Sequence, residues 1–420
     1  MQKLRSVKGM NDILPEQMPA WRRLEETFRA TVERHGYQEM RSPIVEPTAL
    51  FVRSIGEATD IVEKEMYTFT DKGDHSLTLR PEGTASCVRA YLQHSAGERS
   101  PVTKWFYMGP MFRRERPAKG RYRQFYQAGV ELYGDPGPYT DAEMIDMVVS
   151  MLRDLGVLDV EVLINSLGSE GSRERYREAL LAYLLPLRDS LSAESQARLE
   201  RSPLRVLDSK APEDQEIAEG APRILDFLDE ADQTHFDGLR ATLDALGTPY
   251  RVEPRLVRGL DYYTRTLFEV QGRGSALGAQ NALLGGGRYD AMVGELGGPS
   301  TPAIGFAMGL ERILMVLPEA EAPAPIDAFV IATRPELRLE ASVLARDLRR
   351  EGLRIDGDLR GGSLKSQLRR ADKVGARLAL LLGPRELEEG LVQLKDLRDK
   401  AQQDVPRAEL AALILRMLER

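Results

Sequence analysis

The chain has a single cysteine, Cys87, so no disulfide can close within it and no thiolate-rich metal site can be built. Its four histidines, His35, His75, His94 and His235, lie far apart without ligand spacing, which argues against any protein-bound structural metal. No run approaches the roughly 18 consecutive apolar residues that a membrane-spanning helix needs. The opening Met-Gln-Lys-Leu-Arg-Ser-Val-Lys-Gly carries positive charge with no apolar stretch behind it, so a cytoplasmic protein is expected. There is no Gly-x-x-x-x-Gly-Lys-Ser/Thr loop and no Gly-x-Gly-x-x-Gly following a strand, so neither a Walker nor a Rossmann nucleotide site is supported. Positive charge is also in deficit, with 58 Lys and Arg against 65 Asp and Glu. A net charge of -7 does not suit a nonspecific nucleic-acid coat, so any such contact must be local and directed.

The chain does have length and an ordinary globular composition. Its 420 residues, 42% hydrophobic and 29% charged, suffice for two or three domains with a sizeable core. The segment Pro318 to Ile326, rich in Pro, Ala and Glu, suits a semi-rigid linker (318–326). Beyond it, in 327–420, short apolar runs at Ala328 and Leu378 and a strand near Leu353 alternate with helical stretches at Leu337 to Glu351 and Ser363 to Val374. That alternation predicts a small α/β domain with a largely parallel sheet, ending on an amphipathic helix from Arg407 to Arg420. Residues 170–244 show helical periodicity among many charges, clearest at Ala179 to Leu185 and again around Ile224, and are expected to form a helical insertion. The flanking parts, 1–169 and 245–317, hold strand-like runs such as Lys104-Trp-Phe-Tyr-Met and Thr266-Leu-Phe-Glu-Val. Together they predict one α+β domain on an antiparallel sheet.

Against the acidic background, Arg113 to Arg123 carries five arginines and one lysine with a single glutamate, Glu115. A dense guanidinium cluster matches phosphate oxygens bidentately, whereas most charge runs are solvated turns of mixed sign. Strand-like runs on both sides predict a long hairpin, with Arg113 and Glu115 on one face and Arg114 on the other. On the returning strand Phe125, Gln127, Gly129 and Glu131 share a face, a possible floor for a small molecule. Phe125 alone would read as a core aromatic, but an amide and a carboxylate beside it are costly to bury idle. Further on, Gly305-Phe-Ala-Met-Gly-Leu-Glu-Arg places small residues before Arg312 at the start of a helix, which suits close approach to a phosphate, although helix packing is the common meaning of Gly-x-x-x-Gly.

These pieces carry a resemblance. Glu33-x-x-Gly36-Tyr37 through Ser42-Pro43-Ile44-Val45 resembles motif 1 of the class II aminoacyl-tRNA synthetases, Phe112-Arg113-x-Glu115 with its hairpin resembles motif 2, and Gly305 to Arg312 resembles motif 3. Leu79-Arg-Pro-Glu-Gly-Thr84, Leu256-Val-Arg-Gly-Leu-Asp-Tyr-Tyr263 and Gly285-Gly-Gly-Arg-Tyr-Asp290 narrow the resemblance to the histidyl-tRNA synthetase family, from the N-terminus through the C-terminal part. It implies a class II-like catalytic domain, a C-terminal anticodon-binding domain, and ATP with Mg2+, L-histidine and tRNA(His) as substrates. It also implies a homodimer formed through motif 1 around Pro43.

Carried over position by position, the resemblance puts Arg113, Arg258 and Glu82 in catalysis, with the two arginines on the α-phosphate. ATP falls to Arg113, Glu115, Arg121, Phe125 and Arg312, adenine lying between Phe125 and Arg312. Glu82, Thr84 and Gln127 hold the α-amino group of histidine, Glu131 and Tyr263 its two ring nitrogens, and Tyr262 and Tyr289 line the same pocket. Arg116 and Lys119 at the hairpin tip meet the acceptor end, where relatives commonly carry Gln in place of Ala118. Arg360, Lys365, Arg369 and Arg370, with Lys373 and Arg377 nearby, meet the anticodon or form a solvated helix face. Physical chemistry agrees with these roles. Attack of a carboxylate on an α-phosphorus is limited by charge and needs fixed cations more than acids and bases. A carboxylate and a phenol together satisfy the donor and acceptor of a neutral imidazole. The alternative reading is the regulatory subunit of ATP phosphoribosyltransferase, against which the Arg258 to Tyr263 segment and the C-terminal domain both argue.

Overall fold

The computed structural model describes residues 3–56, 59–258, 260, 262–273, 281–319, 326–358 and 361–418. Arg360 and residues 320–325 of the expected linker lie outside them. The chain divides into two compact units, Met1–Glu319 and Ala320–Arg420. Strands of the first are β1 (Gln38–Glu39), β2 (Val45–Pro47), β3 (Tyr67–Thr70), β4 (Ser76–Leu79), β5 (Thr103–Phe112), β6 (Gln124–Tyr133), β7 (Val160–Ser166), β8 (Arg251–Val252), β9 (Thr264–Gly272), β10 (Ala282–Arg288) and β11 (Ala303–Gly309). The second holds β12 (Ile326–Ala332), β13 (Ile355–Gly357), β14 (Ala376–Leu382), β15 (Leu391–Asp396) and β16 (Gln402–Pro406). No described helix is long and apolar enough to cross a membrane.

An eight-stranded sheet in the order β1-β5-β6-β11-β10-β9-β7-β8 frames the first unit. Its inner pairs are antiparallel, as the sequence predicts, while the edge pairs β1/β5 and β7/β8 are parallel. Those edge strands are two residues long and leave no period-2 signal. Along β6 the alternation sends Ala128, Val130 and Leu132 into the core on one face. Helices Met18–Arg34, Pro138–Asp154 and Glu230–Leu246 cover that face; the first turns Trp21, Leu24, Phe28 and Val32 inward at helical spacing. Phe28 is fully buried, and truncating it to alanine should cost about 3–5 kcal/mol. The opposite face of β6 carries Phe125, Gln127, Gly129 and Glu131.

Helices Glu170–Leu184, Ala193–Arg198, Pro212–Glu219 and Glu230–Leu246 occupy the stretch read as an insertion. Tyr176, Leu180, Leu184, Leu199, Val206 and Ile224 form a core cluster there. The helical signal at Ile224 proves to be one 3₁₀ turn, Ile224–Phe227. Pro222 precedes it, and Asp229, accepting from the Asp232 amide at 2.8 Å, starts the next helix directly after it.

The five-stranded sheet of the second unit runs β13-β12-β14-β15-β16. It is mixed rather than largely parallel: β12 pairs in parallel with β13 and β14, but β14/β15 and β15/β16 are antiparallel. A five-residue turn through Lys400 at φ 61 joins β15 to β16, and so short a connection permits only antiparallel pairing. Ser363 caps helix Leu364–Lys373. The last helix is Leu410–Met417, shorter than expected because Pro406 still belongs to β16.

Candidate active site

β5 and β6 pair from Thr103↔Tyr133 to Phe112↔Gln124, and the Arg113 amide extends the ladder by donating to Arg123 O at 3.0 Å. The tip closes where Ala118 and Arg121 exchange backbone hydrogen bonds of 3.1 and 3.0 Å, with Gly120 at φ 72. Alternation sorts the side chains as expected. Arg113, Glu115 and Arg121 line a pocket with Phe125 and Gln127, while Arg114, Arg116 and Lys119 are exposed. The Arg113 guanidinium lies 5.2 Å from the Phe125 ring centroid and its Nε donates to Pro81 O at 2.9 Å. Phe125 is half-buried in the pocket wall.

Arg312 comes from helix Leu310–Val316 and reaches back to the hairpin, donating to Gly120 O at 3.1 Å and to Ala282 O at 3.0 Å. Gly305 and Gly309 lie in β11, so helix packing does not explain them. Gly305 stands opposite Glu131, and a Cβ there would lie 2.0 Å from a Glu131 carboxylate oxygen and 2.5 Å from Val130 O. Arg258 enters from the other side and pairs with Glu269 of β9. Four arginines, 113, 121, 258 and 312, therefore line one end of the pocket. Burial, then the neighbouring Arg121, lowers the pKa of Arg312. Burial also raises the carboxyl of Glu115, against the pull of Arg121, which lies 3.4 Å away. Burial is the largest influence on Arg258 and lowers its pKa, but Glu269, Tyr263, Asp208 and Tyr262 together outweigh it and the pKa is raised.

The other end is a buried polar floor. Glu82 accepts from the amides of Thr84 at 2.6 Å and Ala85 at 2.8 Å, at the start of helix Thr84–Gln93, and burial raises its pKa. Thr84 Oγ1 donates to Glu131 Oε1 at 2.7 Å, and the Tyr289 hydroxyl hydrogen-bonds the other oxygen. Glu131 is fully buried, and desolvation pushes its pKa up to about 8 against both bonds. Gln127 Oε1 is buried without a hydrogen-bond partner among the described residues, an acceptor waiting for a donor. Tyr262 and Tyr263 pack with centroids 4.6 Å apart, and Tyr289 meets Tyr262 edge-on at 5.8 Å.

Several residues of this site have no role legible in the sequence. Ile61, at the start of the π-helical turn Ile61–Glu65, and Leu260, from a loop, supply apolar wall, and a lone apolar residue in so short an element carries no signal. Glu311 accepts from the Tyr126 amide at 3.0 and 3.1 Å, and burial lifts its pKa to about 7. Glu269 and Arg288 stand in or beside segments already singled out, but nothing in the sequence showed what they face. In the second unit Lys365, Arg369 and Lys373 are exposed. Arg370 pairs with Asp358 at 3.0 Å and Arg377 with Asp396 at 2.8 Å.

Comparison with known proteins follows the same division. Residues 9–313 match the family model for histidyl-tRNA synthetase, and residues 327–417 that for an anticodon binding domain. The histidine--tRNA ligase of Sorangium cellulosum is 56% identical over 98% of this chain and 96% of its own length. That of Anaeromyxobacter dehalogenans is 50% identical over 98% and 99%. The apo histidyl-tRNA synthetase of S. aureus superposes with a TM-score of 0.83 at 36% identity, covering 98% of this chain and all (100%) of that one. On the ordered motifs, the shape of the pocket and these relationships, the chain belongs to the histidyl-tRNA synthetase family.

Proposed function

We propose that this chain is a histidine-tRNA ligase. It activates L-histidine with ATP to histidyl-adenylate and pyrophosphate, then transfers the histidyl group to the 3′-terminal adenosine of tRNA(His). The observation that carries the reading is one pocket joining four arginines to a buried floor of Glu82, Gln127 and tyrosines, with Glu131 directly behind it on Thr84 and Tyr289. ATP enters as its magnesium complex. Arg113 and Arg258 meet the α-phosphate, Arg121 and Arg312 the outer phosphates, and Phe125 stacks with adenine opposite Arg312, while Glu115 orients Arg121. In attack by the histidine carboxylate both partners are anions, so cations fixed beforehand lower the barrier without reorganising. Glu82, Thr84 and Gln127 take the α-amino group, for which the unpartnered Gln127 Oε1 supplies an acceptor. Glu131 and Tyr263 recognise the imidazole beside Tyr262 and Tyr289. An analogue lacking a ring nitrogen would strand a buried polar group, and such a site discriminates by on the order of 10⁴.

Arg116 and Lys119 project from the hairpin toward the acceptor end, and Lys365, Arg369 and Arg370 belong to an anticodon face. Exposed Ile44 and Val45, next to Pro43, and exposed Phe69 favour a homodimer through motif 1; the cytoplasm is the compartment proposed for it. The regulatory-subunit alternative is not favoured: the relatives at 50–56% identity over nearly the whole chain, among them those of Sorangium cellulosum and Anaeromyxobacter dehalogenans, are histidine--tRNA ligases. ATP–pyrophosphate exchange tests the proposal. Exchange is expected with histidine and no other standard amino acid; no exchange, or stronger exchange with another amino acid, overturns it.

A further inference from the structure

Behind the floor lies a buried ionic knot that the reaction just described does not use. Arg288 is fully buried, and its Nη2 and Nε meet the two carboxylate oxygens of Asp141 at 2.6 and 2.9 Å. Its remaining donors hold Asp135 O at 2.9 Å and Gly137 O at 2.8 Å, in the turn that opens helix Pro138–Asp154. Thr266 Oγ1 donates to the same Asp141 carboxylate, and His235 from helix Glu230–Leu246 stands 3.6 Å from it. Burying an ion pair is costly, and the two-point pairing with Asp141, the two carbonyls and the Thr266 hydroxyl offset that cost and hold Arg288 in one place, although Asp141 Oδ1 beyond the ion pair and His235 Nε2 have no hydrogen-bond partner among the described residues.

The knot sits one residue from the floor. Gly287 pairs opposite Leu267 but Arg288 opposite Thr264, so β9 bulges there, with Arg265 at φ 44. Bulges of this kind re-aim a side chain. Arg288 passes to the helix side, and Tyr289 turns the other way to hydrogen-bond Glu131. The Tyr289 amide donates to Ala303 O at 2.9 Å, and Asp290 accepts from the Ala303 amide at 3.0 Å, tying the residue to β11 beside Gly305.

We infer that Arg288, clamped by Asp141, is a positioning residue for substrate selection: it fixes the backbone from which Tyr289 orients Glu131 toward the imidazole. The inference rests on the function proposed above. Lysine at 288 keeps the charge but loses the fork that spans two carboxylate oxygens and two carbonyls. In ATP–pyrophosphate exchange, Arg288→Lys is expected to raise the KM for histidine about 10-fold and to move the KM for ATP by less than about 2-fold. In a Tyr289→Phe background the same change should add less than about 2-fold, because the residue acts through that phenol. Equal rises in both KM values, or full additivity with Tyr289→Phe, overturns the inference. If thermal unfolding shows that Arg288→Lys does not fold, Thr266→Val removes only one hydroxyl from Asp141. It should raise the histidine KM about 3-fold, again only with Tyr289 present, and an unchanged histidine KM overturns the inference. Wild-type protein that fails to exchange with histidine would instead overturn the function.

Discussion

Two stretches of this chain are rich in cations, and the fold treats them differently. The hairpin from Arg113 to Arg123 has its cations sorted by strand alternation. Arg113 and Arg121 turn into a pocket, where Arg258 and Arg312 join them, while Arg116 and Lys119 stay in solvent. Around helix Leu364–Lys373 nothing converges among the described residues: Arg370 and Arg377 are engaged by Asp358 and Asp396, and Lys365, Arg369 and Lys373 are spread over an exposed surface. The difference shows that cation density is not itself a site. Convergence from several elements, partial burial and opposed carboxylates turn charge into electrostatic work.

The sharpest break of this comparison is Arg113→Ala, expected to lower kcat/KM for histidine-dependent exchange by about 10³ or more with an unchanged unfolding temperature; a loss under tenfold would put the hairpin on a level with the helix. Glu131→Ala on the returning strand should likewise abolish histidine activation in a folded protein, and normal activation would mean the pocket is misassigned. Next comes Gly305→Ala, whose methyl must displace the Glu131 carboxylate and push against the Val130 carbonyl of the paired strand; a rise of about 10²-fold in the histidine KM, exceeding any change in the ATP KM, is the expected reading of steady-state exchange. On the helix, Lys365→Ala with Arg369→Ala should raise the KM for tRNA by about 3–10-fold and leave exchange untouched, and the salt dependence of charging should become shallower.

A smaller effect is pH-dependent. Glu131 has a folded pKa of about 8 against an ordinary value of 4.5, so the folded chain binds the extra proton between these values and its stability falls as pH rises through that window. Glu131→Gln removes this penalty. Its unfolding temperature relative to wild type should grow by about 2–5 °C from pH 5 to pH 8, and a constant difference would count against the assignment. Least of all, Arg370→Ala should cost under about 1 kcal/mol, since the partly exposed pair with Asp358 is worth little, and should move the tRNA KM less than the Lys365 and Arg369 changes do.

The hairpin was legible because period 2, a charged turn and flanking aromatics all agree. The mixed character of the second sheet was not: β15 and β16 hold polar residues such as Gln393, Lys395 and Asp404, and only pairing across the turn shows them to be strands. At the site, Phe125 and Gln127 could be placed from the returning strand's alternation and Arg113 from that of the outgoing one. Glu269, Glu311 and Arg288 could not, because each gains its meaning from a partner remote in sequence or from a backbone amide across the sheet. Arg288 and Asp141 lie 147 positions apart.

The sequence by itself determined the main helices, the hairpin strands and their faces, the ordered motifs and the family resemblance, since all of these follow from local spacing and from side-chain chemistry. Tertiary structure alone decided which charges are spent on one another and which remain for a ligand. Burial and distance set that division: Arg288 is locked to Asp141 behind the floor, Arg370 to Asp358 at the surface, and Glu131 is desolvated until it holds its proton near neutral pH.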